Sequence, residues 1–316
     1  MNFWQNLLRV LDTPMDKPPL YGWFHLFWFI LSILAAVVLC YTHKAGDDAR
    51  VRRVVFYTAL TVVILEIYKM INFSFSYEGG ITFDFQWYAF PWQFCSTPMY
   101  AGILTGVFRK GKMHDALNAY LATFAMFAGL CVMFYPATAF IDTIGINIQT
   151  MICHGSMITV GVYLLYSGYV KLEQRTILKA IPVFAVTAMI AVILNELAYY
   201  TGLLETDTFN MFFISRHCEP SLPVYSMVQQ TVAYPWCLII YIAGFSLAAY
   251  LILLSAIGIN KTAASLHRKP SGKVTVETQK PRLSRGFCLW MGITQRQPQQ
   301  AQQPRELRCT ERPLPR

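Results

Sequence analysis

The stretch YGWFHLFWFILSILAAVVLCY, residues 21–41, runs for twenty-one positions without an Asp, Glu, Lys or Arg. A helix rises ~1.5 Å per residue, so about 20 such residues cross a hydrocarbon core of ~30 Å. Six more stretches meet that length: Val54–Phe73, Tyr88–Phe108, Ala116–Phe140, Asn147–Val170, Leu178–Thr201 and Thr231–Ile257. No segment shows the roughly ten-residue alternation of a membrane barrel, which excludes strands as the spanning element. The first stretch is too long for the apolar core of a cleavable signal, and it follows a lead-in that holds Asp12, Asp16 and several prolines. The expected architecture is therefore all-α, a polytopic membrane protein with seven transmembrane helices.

Composition argues the same way. Of the 316 residues, 55% are apolar and 14% charged, against about 25% charged in a soluble domain. The mean hydropathy is +0.40. These values exclude disorder over most of the length and argue against a soluble globular fold. The net charge of +9 would point to nucleic acid if it were spread over the chain, but it is not. Lys261–Arg316 holds twelve Lys/Arg and three Glu, whereas residues 1–260 hold fourteen charges of each sign. The chain accordingly divides into an N-terminal segment (1–20), a seven-helix domain (21–258) and a basic tail (259–316). The tail is rich in Gln, Pro and Arg and is expected to be disordered. Its expected partner is anionic lipid headgroups, with no role for nucleic acid.

Orientation follows from the connections. The first carries Lys44, Arg50, Arg52 and Arg53, the third Arg109, Lys110 and Lys112, and the fifth Lys171, Arg175 and Lys179. The second and fourth carry none, and the sixth only Arg216. The positive-inside rule places the N-terminus outside and the C-terminus in the cytoplasm. Phe3, Trp4, Leu7, Leu8 and Leu11 recur at helical spacing ahead of the first span. That spacing fits an interfacial helix, and a frayed lead-in is the plainer alternative.

Ionisable side chains inside a bilayer are costly and so become functional candidates. Here they are few. Glu66 and Lys69 lie in the second span, Cys95 in the third beside Gln93, His154 in the fifth, and Asn195 and Glu196 in the sixth. Counted from the outer ends of their spans, Glu66, Cys95 and His154 are seven residues deep and Asn195 six. At ~1.5 Å per residue, all four share a level ~10 Å below the outer boundary. A thiol, an imidazole and a carboxylate at one depth fit a nucleophile, its base and an orienting group. Each also has a plainer role: Glu66–Lys69 as a structural ion pair, Cys95 as a small buried residue, His154 and Asn195 as interhelical donors. Pro91 and Pro98 bracket Cys95 and are expected to open the backbone around it. Walker, GxGxxG, HExxH and CxxC patterns are absent, and the seventh span has no lysine for a retinal Schiff base. No cofactor or metal is expected.

Three strings carry a resemblance. Phe90-Pro91-Trp92-Gln93-Phe94-Cys95-Ser96 is similar to a Leu-Pro-Leu-His-Leu-Cys motif, with Pro91 and Cys95 in the matching places and Gln93 for the histidine. Cys153-His154-Gly155-Ser156-Met157-Ile158 resembles Ser-His-Gly-x-Met-Ile. Asn195, followed by Gly202 and Thr208-Phe209-Asn210-Met211-Phe212, resembles an Asn-x(n)-Gly-x-Asn-Tyr pattern. Together they resemble the YwaF family of integral membrane proteins, a group related to transmembrane protein 164. The resemblance spans about residues 20–258 and implies a seven-span bundle. Its transmembrane protein 164 branch implies a phospholipid acyltransferase with a catalytic cysteine and histidine, which become Cys95 and His154.

The expectation is an acyltransferase or hydrolase acting on lipid acyl chains from the outer-leaflet side. Cys95 attacks, His154 moves the proton, and Glu66, Gln93, Asn195 and Asn210 support the site or bind substrate. The alternative is a transporter or receptor-like lipid- or small-molecule-binding protein that uses the same pocket without catalysis. The orientation is directly testable. Asn260-Lys261-Thr262 is a glycosylation sequon on the cytoplasmic side and should stay unmodified. A C-terminal tag should be reached by antibody only after permeabilisation, and a sugar on Asn260 would reverse the assignment.

Overall fold

The computed structural model describes residues 2–202, 208–219 and 222–266. Its helices are α1 (Phe3–Leu11), α2 (Trp23–Tyr41), α3 (Asp48–Ser74), α4 (Thr97–Val107), α5 (Lys112–Tyr120), α6 (Met126–Phe134), α7 (Ile144–Tyr166), α8 (Thr176–Thr201), α9 (Pro223–Thr231) and α10 (Tyr234–Leu266). Two short strands, β1 (Phe75–Ser76) and β2 (Thr82–Phe83), pair antiparallel beyond the end of α3. Between α5 and α6 the helix continues through a π turn, Leu121–Ala125, so Lys112–Phe134 is one rod. Six helices among the described residues are long and apolar enough to cross a bilayer: α2, α3, the α5–α6 rod, α7, α8 and α10. Large apolar side chains such as Phe27, Leu34, Leu247 and Leu251 face outward from them. The chain is an integral, multi-pass membrane protein.

The difference from the seven expected helices lies in the third stretch. There only α4 is an α-helix, with 11 residues, which at ~1.5 Å each covers about half of the hydrocarbon core. The rest is a 3-10 turn at Trp87–Ala89 followed by non-helical backbone to Ser96. Proline explains the break. Pro98 sits in the first turn of α4, where a missing N–H costs nothing. Upstream it denies an N–H to a longer helix, and its ring would meet the carbonyl of Phe94.

One end of the bundle gathers the basic connections. There His43 Nδ1 meets the Tyr163 hydroxyl (3.0 Å), the Tyr169 hydroxyl meets His114 (2.9 Å), and Lys179 lies 3.9 Å from Asp115. Burial, and then the charge of Arg50, hold the His43 imidazole below its ordinary pKa. At the opposite end, α1 opens with a reciprocal cap between Asn2 and Gln5. Of the two readings of the N-terminal segment, the helix is the one found, with no residue of it buried. Asp12 then fastens it to the bundle by accepting from Asn72, Tyr77 and Thr143, each at 3.3 Å. Helix α10 continues to Leu266, past the expected tail boundary at residue 258. The tail from 267 onward lies outside the described residues.

Helix α7 is the axis of the bundle. Seventeen of its 23 residues are buried, against four of 19 in α2. It packs on α2, α3, α6 and the π turn. Small residues set these approaches. A Cβ at Gly129 of α6 would lie 2.6 Å from the His154 carbonyl and 2.9 Å from Met157 Cβ. The obstacle is the backbone of α7, which cannot move aside. Gly129→Ala should therefore lower the melting temperature of the detergent-solubilised protein, because overpacking costs about 1–3 kcal/mol. Gly244 in α10 meets nothing within 4 Å, so Gly244→Ala should leave it unchanged or raise it through better helix propensity. Equal effects of the two would refute the packing argument.

Candidate functional site

The non-helical segment ending at Ser96 is the hub of the buried polar groups. On one side, the Ser96 hydroxyl donates to Glu66 Oε1 (3.4 Å), and Gln149 Nε2 donates to the same oxygen (3.3 Å). Lys69, one turn along α3, holds Glu66 Oε2 at 2.5 Å. The carboxylate is thus paired and hydrogen-bonded, as a buried charge requires. The structural ion pair weighed as the plainer reading is present. Thr97 closes the same segment by donating to the Phe94 carbonyl (2.9 Å) and sharing a 2.6 Å hydrogen bond with the Tyr120 hydroxyl.

On the other side, the segment grips a second irregular stretch, residues 209–215. Gln93 Nε2 donates to the Asn210 carbonyl (3.0 Å), and its Oε1 accepts from the Phe212 N–H (2.9 Å). Asn195 does the same for Met211, donating to its carbonyl (3.0 Å) and accepting from its N–H (2.8 Å). Asn210 Oδ1 accepts from the Ser215 N–H (2.9 Å), and the Tyr241 hydroxyl donates to the Phe212 carbonyl (3.0 Å). Phe212 and Phe213 hold positive φ angles of 58° and 56°, and such strain persists only where surrounding bonds enforce it. Three of the expected site residues, Gln93, Asn195 and Asn210, are therefore engaged with backbone.

Cys95 lies two residues before α4 and lines a narrow apolar cavity of about 30 Å³, roomy enough for about one water. Val62, Met99, Leu121 and Ala125 form its walls, and Cys153 and Ser156 enter from α7. Gln149 Nε2 contacts Cys153 Sγ at 3.4 Å, so both thiols adjoin the Glu66 cluster. His154, the next residue on α7, points elsewhere. Its Nδ1 lies 2.7 Å from the Thr150 carbonyl. A carbonyl only accepts, so Nδ1 carries the proton and Nε2 keeps a lone pair suited to a base. Among the described residues no hydrogen bond joins His154 to Cys95, Glu66 or Asn195. The structure joins Glu66 to the residue beside Cys95, and Gln93 to Asn210, but not the thiol to the imidazole.

Several participants escape a reading by depth. Ser96 and Gln149 are polar but uncharged, and Cys153 is hidden beside a more conspicuous histidine. The π turn places Leu121 and Ala125 in the cavity wall. Its signal is geometric, since π turns concentrate at functional sites. Trp92 ties the non-helical segment ending at Ser96 to α8: its Nε1 donates to the Thr187 carbonyl (3.2 Å).

Comparison with known proteins gives one finding. No curated protein and no solved structure matches the chain. The model of the TMEM164 family matches residues 20–255, from the start of the first span into α10. The chain belongs to the TMEM164 family.

Proposed function

We propose that this protein is a phospholipid acyltransferase or hydrolase with Cys95 as nucleophile and His154 as its acid–base partner. We also read the α4 passage as a seventh crossing made of half a helix and half irregular backbone, with the N-terminus outside. The observation that carries the enzymatic reading is the placement of Cys95. It stands on non-helical backbone, faces a cavity, and precedes the first turn of α4; on the seven-crossing reading that backbone lies at bilayer depth. Unwound backbone is tolerated at that depth only where protein or a cavity surrounds it. The N-terminus of a helix favours the negative charge that builds on a thiolate or an acyl oxyanion.

The chemistry is a two-step transfer. The Cys95 sulfur attacks an acyl ester carbonyl, the ester C–O bond breaks, and the alkoxide leaves with the proton lost by the thiol. An acceptor hydroxyl, or water, then attacks the thioester and returns a proton to sulfur. His154 Nε2 relays the proton in each step. No hydrogen bond links the two side chains at rest and His154 does not line the cavity, so this reading requires the imidazole to turn toward Cys95 when substrate binds.

One observation favours a second reading. Glu66, Gln93, Asn195 and Asn210 are all committed to an ion pair or to backbone, so none orients the imidazole. A lipid-binding transporter or receptor-like protein needs no such orientation.

Substitution separates the two. Cys95→Ala and His154→Ala should each reduce acyl transfer from phospholipid by about 10²–10⁴-fold, with the double variant losing little more, because groups acting in one step are non-additive. Cys95→Ser should also fail. In a Cys153→Ala background, Cys95 should form a thioester and alkylate faster than Cys40, Cys131 and Cys237. A fully active Cys95→Ser variant without a thioester would leave the binding reading in place.

A further inference from the structure

Helices α2 and α3 are consecutive in the chain, yet they scarcely touch each other. Each packs instead on α7. The gap between them is a lateral groove of about 760 Å³, within the size range of small-ligand pockets. Its floor is α7, at Ile152, Gly155, Ser156 and Thr159. Gly155 lets α2 settle close, since any Cβ there would collide with Ser32 Oγ, and Thr159 anchors α2 by donating to the Ser32 carbonyl (3.0 Å). Apart from Ser32, the α2 wall is apolar from Trp28 to Leu39. Leu31 and Val38 are exposed along it, so the groove opens toward the hydrocarbon of the bilayer.

Two features make this more than ordinary lipid contact. The first is charge. Arg50 and Arg53 line the groove at the basic end. Arg50 donates to the Thr42 carbonyl and hydroxyl, both neutral acceptors. The nearby Asp47 carboxylate caps the Arg50 N–H (3.0 Å). Among the described residues neither arginine has a carboxylate partner. Two guanidinium groups at the mouth of an apolar slot match a phosphate attached to acyl chains. The second feature is continuity. Thr58 and Ser156 line both the groove and the cavity that holds Cys95. Along the axis of α3, Thr58 is ~8 Å from Arg53 and ~12 Å from Arg50, a separation spanned by a glycerol backbone and the first carbons of an acyl chain.

We propose that the α2–α3 groove is a binding site for one glycerophospholipid, with its phosphate on Arg50 and Arg53 and an acyl chain lying against α7 toward Thr58 and Ser156. The lipid enters sideways from the leaflet at the basic end, the face opposite to the outer-leaflet approach expected from the depth of Cys95 and His154. The site deepens the enzymatic reading by naming the donor's position, and it rests on that reading only for what happens at Cys95. Occupancy of the groove does not require catalysis.

The test uses the full chain in phosphatidylcholine nanodiscs. The probe is a glycerophospholipid with a diazirine in one acyl chain, and a diacylglycerol with the same chains, lacking phosphate, is the comparator. Phospholipid crosslinks should map to residues 28–39, 50–58 and 152–159 and should persist in Cys95→Ala. Arg50→Gln with Arg53→Gln should cut them about tenfold to thirtyfold, as expected for two basic groups at a lipid surface, down to the diacylglycerol level. Ala35→Phe, at an exposed position of the wall, should block both probes without disturbing the fold. Crosslinks spread evenly over all outward helix faces, or unaffected by these variants, would overturn the site. Groove labelling without acyl transfer in the unaltered protein would sink the enzymatic reading alone. Acyl transfer that survives Ala35→Phe would sink the groove alone.

Discussion

Backbone polar groups have no water to bond in the hydrocarbon of a bilayer, and each one left unpaired costs several kcal/mol. A continuous helix solves this by itself. The segment ending at Ser96 and residues 209–215 do not, and the bundle is arranged to satisfy them. Gln93 and Asn195 each use a whole carboxamide on the backbone of the 210–212 turn, one donor and one acceptor apiece. A carboxamide is suited to this because it mimics a peptide group, offering N–H and C=O side by side. Gln93 supplies both functions at once. The two irregular stretches thus support each other, and Tyr241 of α10 adds a third hold.

The spanning helices were legible because hydropathy over about twenty residues reports the solvent. The break in the third stretch was not, because an average over a window does not register which N–H groups are missing. Pro91 and Pro98 did mark the place, but Pro98 starts a helix instead of kinking one. Sequence-level counting similarly assigns a residue a height along its span but not a rotation about the helix axis. Neighbouring residues on a helix differ by ~100° in direction. Cys153 and His154 share a level, yet one lines the cavity with Cys95 and the other turns back to the Thr150 carbonyl. The Glu66–Lys69 pair was readable because residues three apart on a helix are neighbours whatever the fold. Ser96 and Gln149 were not, because their partner lies on a different helix.

The central position of α7 follows from its composition. Gly155, Ser156 and Gly161 give it a thin profile, so α2, α3 and α6 all approach closely. That crowding leaves α2 and α3 fanned apart on either side. The same helix presents Cys153 and Ser156 to the cavity and Gly155 to α2, so the candidate site and the packing cannot be altered independently.

The π turn in the α5–α6 rod carries a consequence for sequence length. Its i→i+5 bonding accommodates one residue more than an α-helical turn would hold. Removing one residue from Leu121–Ala125 would close the turn to a plain α-helix with the rotation of the following residues nearly kept, so Gly129 would still face the His154 carbonyl. The same deletion in the regular part of α5 would instead rotate everything beyond it by ~100° and swing Gly129 away from that carbonyl. The extra residue is thus absorbed locally, and the π turn is a place in the rod where the chain can shorten by one residue without breaking the packing of α6 on α7.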